Sequence, residues 1–224
     1  RYPKLPAVHG RELLRVKNLS AGGLLREISL ALREGEVVGL AGMAGSGRTA
    51  LARVLFGLDR PNTGAIWIEG RECRLRGPND AIKHGIGYLT EDRSGVGLIM
   101  GMGAAENITL AKLKEVTRFG LIQRQKEDRL AAECVEKLGI ITPGLRAPVR
   151  IMSGGNQQKV MIGRTLFYNA RLIILDDPSR NLDIAAKVDL YNIMNHLVTA
   201  GAGILLISSD LSELLGMCNR ILVM

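Results

Sequence analysis

Gly42-Met43-Ala44-Gly45-Ser46-Gly47-Arg48-Thr49 decides how the rest of the chain is read. It follows an apolar run over residues 36–41, Glu-Val-Val-Gly-Leu-Ala, that reads as a short buried strand. A helical pattern over residues 49–56 starts directly after it. Strand, glycine-rich turn and helix, in that order, turn a loose glycine pattern into a phosphate-binding loop. The glycines let successive backbone N–H groups curl into an anion nest, and the helix start adds its dipole and free donors. Gly42, Gly45, Ser46, Gly47 and Arg48 form the nest, and Thr49 is placed to offer a hydroxyl to Mg2+. The residue before Thr49 is Arg48, where the pattern calls for lysine.

A second motif lies far downstream. Residues 172–175 are Leu-Ile-Ile-Leu and end in Asp176, a short and wholly apolar run suited to a parallel strand buried on both faces. A carboxylate at the end of such a strand holds Mg2+ beside a nucleotide. Alone, the run reads as a buried strand ending in a turn; paired with the glycine loop, in this order, it reads as half of a site.

Between and around these motifs, strands alternate with helices. Residues 13–19 and 24–32 read as strands joined by Ser20-Ala21-Gly22-Gly23. Further strands are expected at 65–69, 73–75 and 85–90, with a helix from Pro78, since proline is tolerated in a first turn. From residue 92 to 152 the character changes: glycine and methionine crowd 95–103 and a charged helical pattern covers 123–138, which reads as an inserted, mainly helical subdomain. Helices at 154–168 and 184–198, a strand at 203–207, a last helix and a strand at 220–224 complete an α/β pattern with a parallel sheet. Residues 1–10, with Pro3, Pro6 and Gly10, read as a linker, and 11–224 as a single domain.

Composition sets the outer bounds. The chain has 224 residues, 46% of them apolar, enough for a substantial core. Thirty basic against 22 acidic residues give a net charge of +8, but the charges are scattered, so a solvated basic surface is expected and a nucleic-acid partner is not. Cys73, Cys134 and Cys218 lie far apart with no paired spacing, which fits a reducing compartment and no disulfide framework. His9, His84 and His196 are isolated and lack metal-ligand spacing. No apolar run approaches a membrane span and no signal peptide opens the chain. A start without Met and an end at Met224, inside an expected strand, read as a piece of something longer.

A third motif names a family. Met152-Ser153-Gly154-Gly155-Asn156-Gln157-Gln158-Lys159 lies shortly before the Asp176 strand. A serine-capped helix start explains Ser153 but not Gly154-Gly155 followed by Gln157 at this distance. Here the chain resembles the ATP-binding cassette (ABC) family, whose signature is Ser-Gly-Gly-x-Gln. Residues 177–183 resemble the segment running from the family's catalytic acid to its D-loop, and the resemblance covers about 13–224. The finer likeness is to ATPases of bacterial importers for sugars of the ribose, galactose and xylose type. Second cassettes there carry Gly47-Arg48-Thr49, Glu91-Asp92-Arg93, the Gly-Gly-Asn-Gln-Gln-Lys signature and Ser208-Ser209 in place of the usual histidine. Nucleoside importers use very similar ATPases.

The resemblance implies a P-loop NTPase core with an antiparallel β region near the N-terminus and the helical subdomain within it. It implies ATP and Mg2+ as cofactors and a second cassette as partner, normally in the same chain. Transmembrane permease subunits and, indirectly, a solute-binding protein follow, with a place on the cytoplasmic face of a bacterial membrane. Such cassettes pack head to tail, so the residues divide between two sites. For the chain's own site, Thr49, Asp176 and Glu91 would serve the metal, and Asp177, Ser209 and Glu91 the chemistry. Asp177 stands where Glu is usual, shorter by roughly 1.5 Å of reach; a misplacement of about 1 Å can cost on the order of 100-fold in rate. Arg48 is not an equivalent for a compact ammonium at a crowded phosphate. Ser209 supplies neither the reach nor the cationic form of a histidine, and Glu91 replaces a glutamine. Residues 20–23 lack the aromatic on which adenine stacks in many relatives. Slow hydrolysis with retained binding is the expectation. For the partner's site, Ser153, Gly154, Gly155 and Gln157, together with Asp183 of the D-loop, look whole. The 95–103 stretch is where the resemblance places contact with the membrane subunits. Two rivals remain: a non-catalytic nucleotide-holding module, and a soluble cassette working on nucleic acid.

Overall fold

The computed structural model describes residues 2–4 and 10–224, which divide into two compact units. The first takes in Arg1–Tyr88, Ala170–Pro178 and Tyr191–Met224. Most of the expected linker, and His9 with it, lies outside the described residues.

In this unit β1 (Glu12–Ala21), β2 (Leu25–Arg33), β4 (Thr63–Ile68) and β5 (Arg71–Cys73) form an antiparallel sheet in the order β2-β1-β4-β5. The second sheet runs β11-β3-β10-β9-β6, from β3 (Val37–Ala41), β6 (Ile86–Leu89), β9 (Leu172–Asp176), β10 (Gly203–Ile207) and β11 (Arg220–Val223). The pairs β11–β3, β3–β10 and β10–β9 are parallel. Every residue of β9 and β10 is buried, which is why both runs are apolar without alternation. The antiparallel strands have partly exposed faces, and the alternation along them is interrupted where the β1–β2 register shifts.

Helix α1 (Arg48–Leu55) turns Leu51, Ala52, Val54 and Leu55 into one core with Leu14, Val16 and Leu32 of the antiparallel sheet and Val38, Leu40 and Ile174 of the parallel one. Helix α7 (Leu211–Met217) lies close against β3 because Gly39 has no side chain: a Cβ there would come within 2.7 Å of the Cys218 sulfur and 3.0 Å of Leu214. The expected strand at 73–75 is observed two residues earlier. Leu75 is buried as part of the core, not as part of the ladder. Helix α2 (Pro78–Lys83) begins at the expected proline.

The second unit comprises Leu89–Asn169 and Ser179–Leu190. It holds α3 (Ala104–Thr109), α4 (Arg124–Lys137), α5 (Gly154–Phe167) and the start of α6 (Ile184–Thr199), whose end belongs to the first unit. A small hairpin, β7 (Thr117–Arg118) with β8 (Leu121–Ile122), was not expected from the sequence. Its turn residues Phe119 and Gly120 both have positive φ.

The unit's interior is partly polar. Glu127 is 2% exposed and pairs with Arg146 at 2.8 Å, and Arg146 also reaches Glu106 at 2.8 Å. Burial weakens the Arg146 charge, but the two carboxylates outweigh it and raise its pKa. Asn107 is fully buried: its side chain donates to the Ile99 and Gly103 carbonyls at 3.1 and 3.0 Å and accepts from the Ile99 N–H at 2.9 Å. The glycine- and methionine-rich stretch is therefore clasped at Ile99–Gly103 by one side chain. Val96, Ile99 and Met102 nevertheless stay exposed.

Candidate functional site

In the first unit, β3 delivers the chain into the glycine loop and α1 leads it away. Gly45 and Gly47 adopt φ of +81° and +98°, where a β-carbon is disfavoured. A Cβ on Gly42 would sit 2.5 Å from Ser46 Oγ and 2.8 Å from the Met224 carbonyl, whereas one on Gly45 would meet nothing within 4 Å. The loop is thus closely packed where it leaves the strand and open at its bend. Ser46 Oγ is buried without a hydrogen-bond partner. An orphaned hydroxyl in a glycine nest at the start of an eight-residue helix is what an oxyanion would complete.

β9 ends beside this loop. Thr49 Oγ1 donates to Asp176 Oδ1 at 3.3 Å, and the Tyr88 hydroxyl donates to Asp176 Oδ2 at 3.1 Å. Asp176 is 1% exposed, and the two hydroxyls fix its carboxyl group in place. A threonine hydroxyl beside a carboxylate is a hard oxygen pair that suits Mg2+ completed by water and phosphate oxygens. Among the described residues no group of three His, Cys, Asp or Glu side chains could hold a metal unaided. The two residues expected to share the ion from this unit, Thr49 and Asp176, are brought together.

The departures from the nucleotide-site pattern in this unit also meet. Asp177 has φ of +43°, and its N–H donates to the Ile207 carbonyl at 2.9 Å. Its Oδ1 accepts from both the Ser209 N–H at 2.7 Å and the Ser209 hydroxyl at 2.9 Å. Arg48 does not stand free over the loop: its Nη1 donates to the Ser208 carbonyl at 2.7 Å. The turn after β10 therefore receives the arginine on one residue and binds the short acid with the next. No sequence signal marked this link, because Arg48, Asp177 and Ser208–Ser209 lie far apart in the chain. Tyr88 was missed for the same reason.

In the second unit, Glu91 accepts from Arg180 Nη1 at 2.6 Å, both side chains being largely exposed. Ser153 caps α5, its Oγ accepting from Asn156 Nδ2 at 2.9 Å. Its own hydroxyl hydrogen is left for another acceptor. Gly155 owes its identity to packing, since a Cβ there would lie 2.8 Å from Ala186 Cβ of α6. Arg93 covers the same helix start, with Nη1 3.4 Å from the Gly154 carbonyl, and burial lowers its pKa. Gln157 donates to the Val149 and Met152 carbonyls at 3.1 and 3.3 Å and so braces the turn before Ser153. Asp183 Oδ1 accepts from the Ala186 N–H at 2.8 Å and caps α6.

The cysteines offer no competing chemistry. All three are free; burial pushes the Cys73 thiol up to about 11 and the Cys218 thiol up to about 12, and raises Cys134 as well. No helix among the described residues is long and apolar enough to cross a membrane.

The family model described as "ABC transporter" matches residues 25–180, well over half of the chain. The chain belongs to the ABC transporter family. The cassette is 46% identical over 224 residues to the Ribose import ATP-binding protein RbsA 1 of Rubrobacter xylanophilus, a match covering all of this chain and 45% of that protein. A Putative ribose/galactose/methyl galactoside import ATP-binding protein 1 of Agrobacterium fabrum is 46% identical over 212 residues, covering 94% of the chain and 42% of the relative. The cassette thus spans about 45% of the length of the curated relatives it matches. A bacterial ABC transporter cassette solved as a dimer superposes with a TM-score of 0.78 at 23% identity, over 95% of this chain and 94% of that one, and shares the fold.

Proposed function

We propose that the chain is the second ATP-binding cassette of a tandem ATPase that energises import of a sugar, ribose foremost, through an ABC transporter. The relatives' names carry the solute class, and the 45% coverage of their length fits one cassette of two. Residues 11–224 would form this cassette, with a helical subdomain over 92–152. Gly42, Gly45 and Gly47 would hold the phosphates with their backbone N–H groups and Ser46 with its orphaned hydroxyl, beside Arg48, and Thr49 and Asp176 the Mg2+, with Glu91 as a further metal-side residue. When bound, the ion supplies charge neutralisation at the phosphates. Asp177 would orient the attacking water. Ser153, Gly154, Gly155 and Gln157, with Asp183, would complete the site of a partner cassette. Exposed Val96, Ile99 and Met102 would face permease subunits at the cytoplasmic side of the membrane.

The observation that carries slow hydrolysis is the double hydrogen bond from Ser209 to Asp177 Oδ1. An acid whose Oδ1 already accepts two hydrogen bonds has fewer lone pairs left with which to orient a water, and its side chain is pinned toward Ser209. That same observation favours a second reading, a module that holds nucleotide without turning it over. Equilibrium binding of a fluorescent ATP analogue, with and without Mg2+, alongside steady-state hydrolysis, separates these readings. Mg2+-dependent binding with slow turnover is expected. Binding with turnover no faster than in an Asp177→Ala variant would leave only the holding module, and no nucleotide binding at all would remove both.

A further inference from the structure

Helix α7 carries a glycine at its sixth position, Gly216, although glycine weakens a helix interior. The ring of Tyr2 explains it. A Cβ on Gly216 would lie 2.2 Å from Tyr2 Cγ and 2.3 Å from Tyr2 Cδ2, so a side chain there would occupy the space of the ring. The other wall is Tyr191 of α6, whose ring centroid is 5.4 Å from that of Tyr2 at an interplanar angle of 53°. Asn195, one helical turn further along α6, donates through Nδ2 to the Pro3 carbonyl at 2.6 Å. Tyr2 and Pro3 are thus held by a notch, a facing ring and a side-chain hydrogen bond. All belong to the first unit.

Helix α7 is also the continuation of the turn that carries the site. Asp210 caps it, accepting from the Ser212 and Glu213 N–H groups at 2.9 and 3.3 Å. The Asp210 N–H in turn donates to Ser208 Oγ at 3.0 Å, and Ser209 between them holds Asp177. At seven residues the helix has little stability of its own. It also carries Glu213, fully buried, with neither carboxylate oxygen hydrogen-bonded. A buried polar group without a hydrogen-bond partner favours any opening that lets water in. Packing must offset this, and it comes from Gly39 on one side and Tyr2 on the other. Burial and the nearby Asp210 and Glu213 charges raise the Tyr2 pKa, so its phenol stays neutral in this seat.

We propose that residues 2–4 are a docking strap: by filling the Gly216 notch, Tyr2 keeps α7 closed and thereby orders the Ser208–Ser209–Asp210 turn that positions Asp177. The occupant is this chain's own N-terminal segment. Whatever chain lies on the N-terminal side is thus connected, through one aromatic anchor, to the turn that binds the acid. The proposal concerns order in that turn and is independent of whether the site hydrolyses nucleotide.

Hydrogen exchange of the nucleotide-free chain tests it, in wild type, Tyr2→Phe, Tyr2→Ala and Gly216→Leu. Leucine is a better helix former than glycine, so Gly216→Leu blocks the notch without weakening the helix intrinsically. In Tyr2→Ala and Gly216→Leu, amides of residues 208–217 should exchange about tenfold faster or more, with β9 and β10 amides unchanged. Tyr2→Phe keeps the ring and should stay close to wild type. Wild-type exchange at 208–217 in both disrupting variants would overturn the strap. So would acceleration spread evenly over the first unit, which would mark general destabilisation in place of a local anchor.

Discussion

The glycine loop and the signature helix of this chain are held under different constraints. Around the glycine loop, the residues that depart from the pattern are joined: Arg48 to the Ser208 carbonyl, and Ser209 to Asp177. Around the signature helix, the residues that keep the pattern are fixed by their immediate surroundings. Gly155 is required by Ala186, Gln157 braces the preceding turn, and Ser153 and Asp183 cap helices. The signature could therefore be retained for packing alone, whatever phosphate it serves. At the loop, by contrast, Gly42 is closely packed while the residues that depart from the pattern hydrogen-bond to one another or to a shared turn. Correct signature residues are weaker evidence of function than they look in a sequence, and a set of departures is stronger when its members touch.

The largest break in this comparison should come from Asp176→Ala. It removes the carboxylate beside Thr49, and Mg2+-dependent nucleotide binding should fall on the order of 100-fold, given the strength of charge-assisted contacts. Titration of an ATP analogue at fixed Mg2+ measures it. Next is Gly155→Val, which drives a side chain into Ala186. Overpacking of this kind costs about 1–3 kcal/mol, read as a lower thermal midpoint, while nucleotide binding at the loop stays unchanged. If binding fell as much as stability, the two regions would not be separable. Third is the pair Asp177→Glu and Ser209→His. Each alone should raise hydrolysis by less than about tenfold, and the double variant by more than the product, because contacting residues are not additive. A full gain from Asp177→Glu alone would show that only the length of the acid was limiting. The smallest effect belongs to Arg180→Ala: its exposed pair with Glu91 is worth about 1 kcal/mol or less by chemical denaturation.

The sequence shows the fold clearly where burial and periodicity agree. β9 and β10 are uninterrupted apolar runs because both faces are covered, and α1, α4 and α5 begin and end within about two residues of the pattern's limits. The hairpin at Thr117–Ile122 left no trace because its strands have two residues each and Phe119 and Leu121 point outward. Helix α3 was hidden for the opposite reason: Asn107 and Thr109 are polar yet fully buried, so they break the apolar stripe a helix should show. At the candidate site, the strand, loop and helix order around Gly42–Thr49 was legible, since it is local in sequence. The bond between Ser209 and Asp177 spans 32 residues, and contacts across a parallel sheet leave no spacing to read.

The left-handed backbone at Asp177 has a consequence for how such a site could change over time. Short acids tolerate positive φ better than most residues, and here the side chain is held across the sheet by Ser209. A longer acid entering this position would lose that bond before gaining reach. A serine at 209 thus entrenches the aspartate, and the aspartate gives the serine its use. A lineage that reached this pair by small steps would gain little from reversing either position alone; fast turnover would need a double change. Partnership with an intact cassette would remove the pressure to look for one.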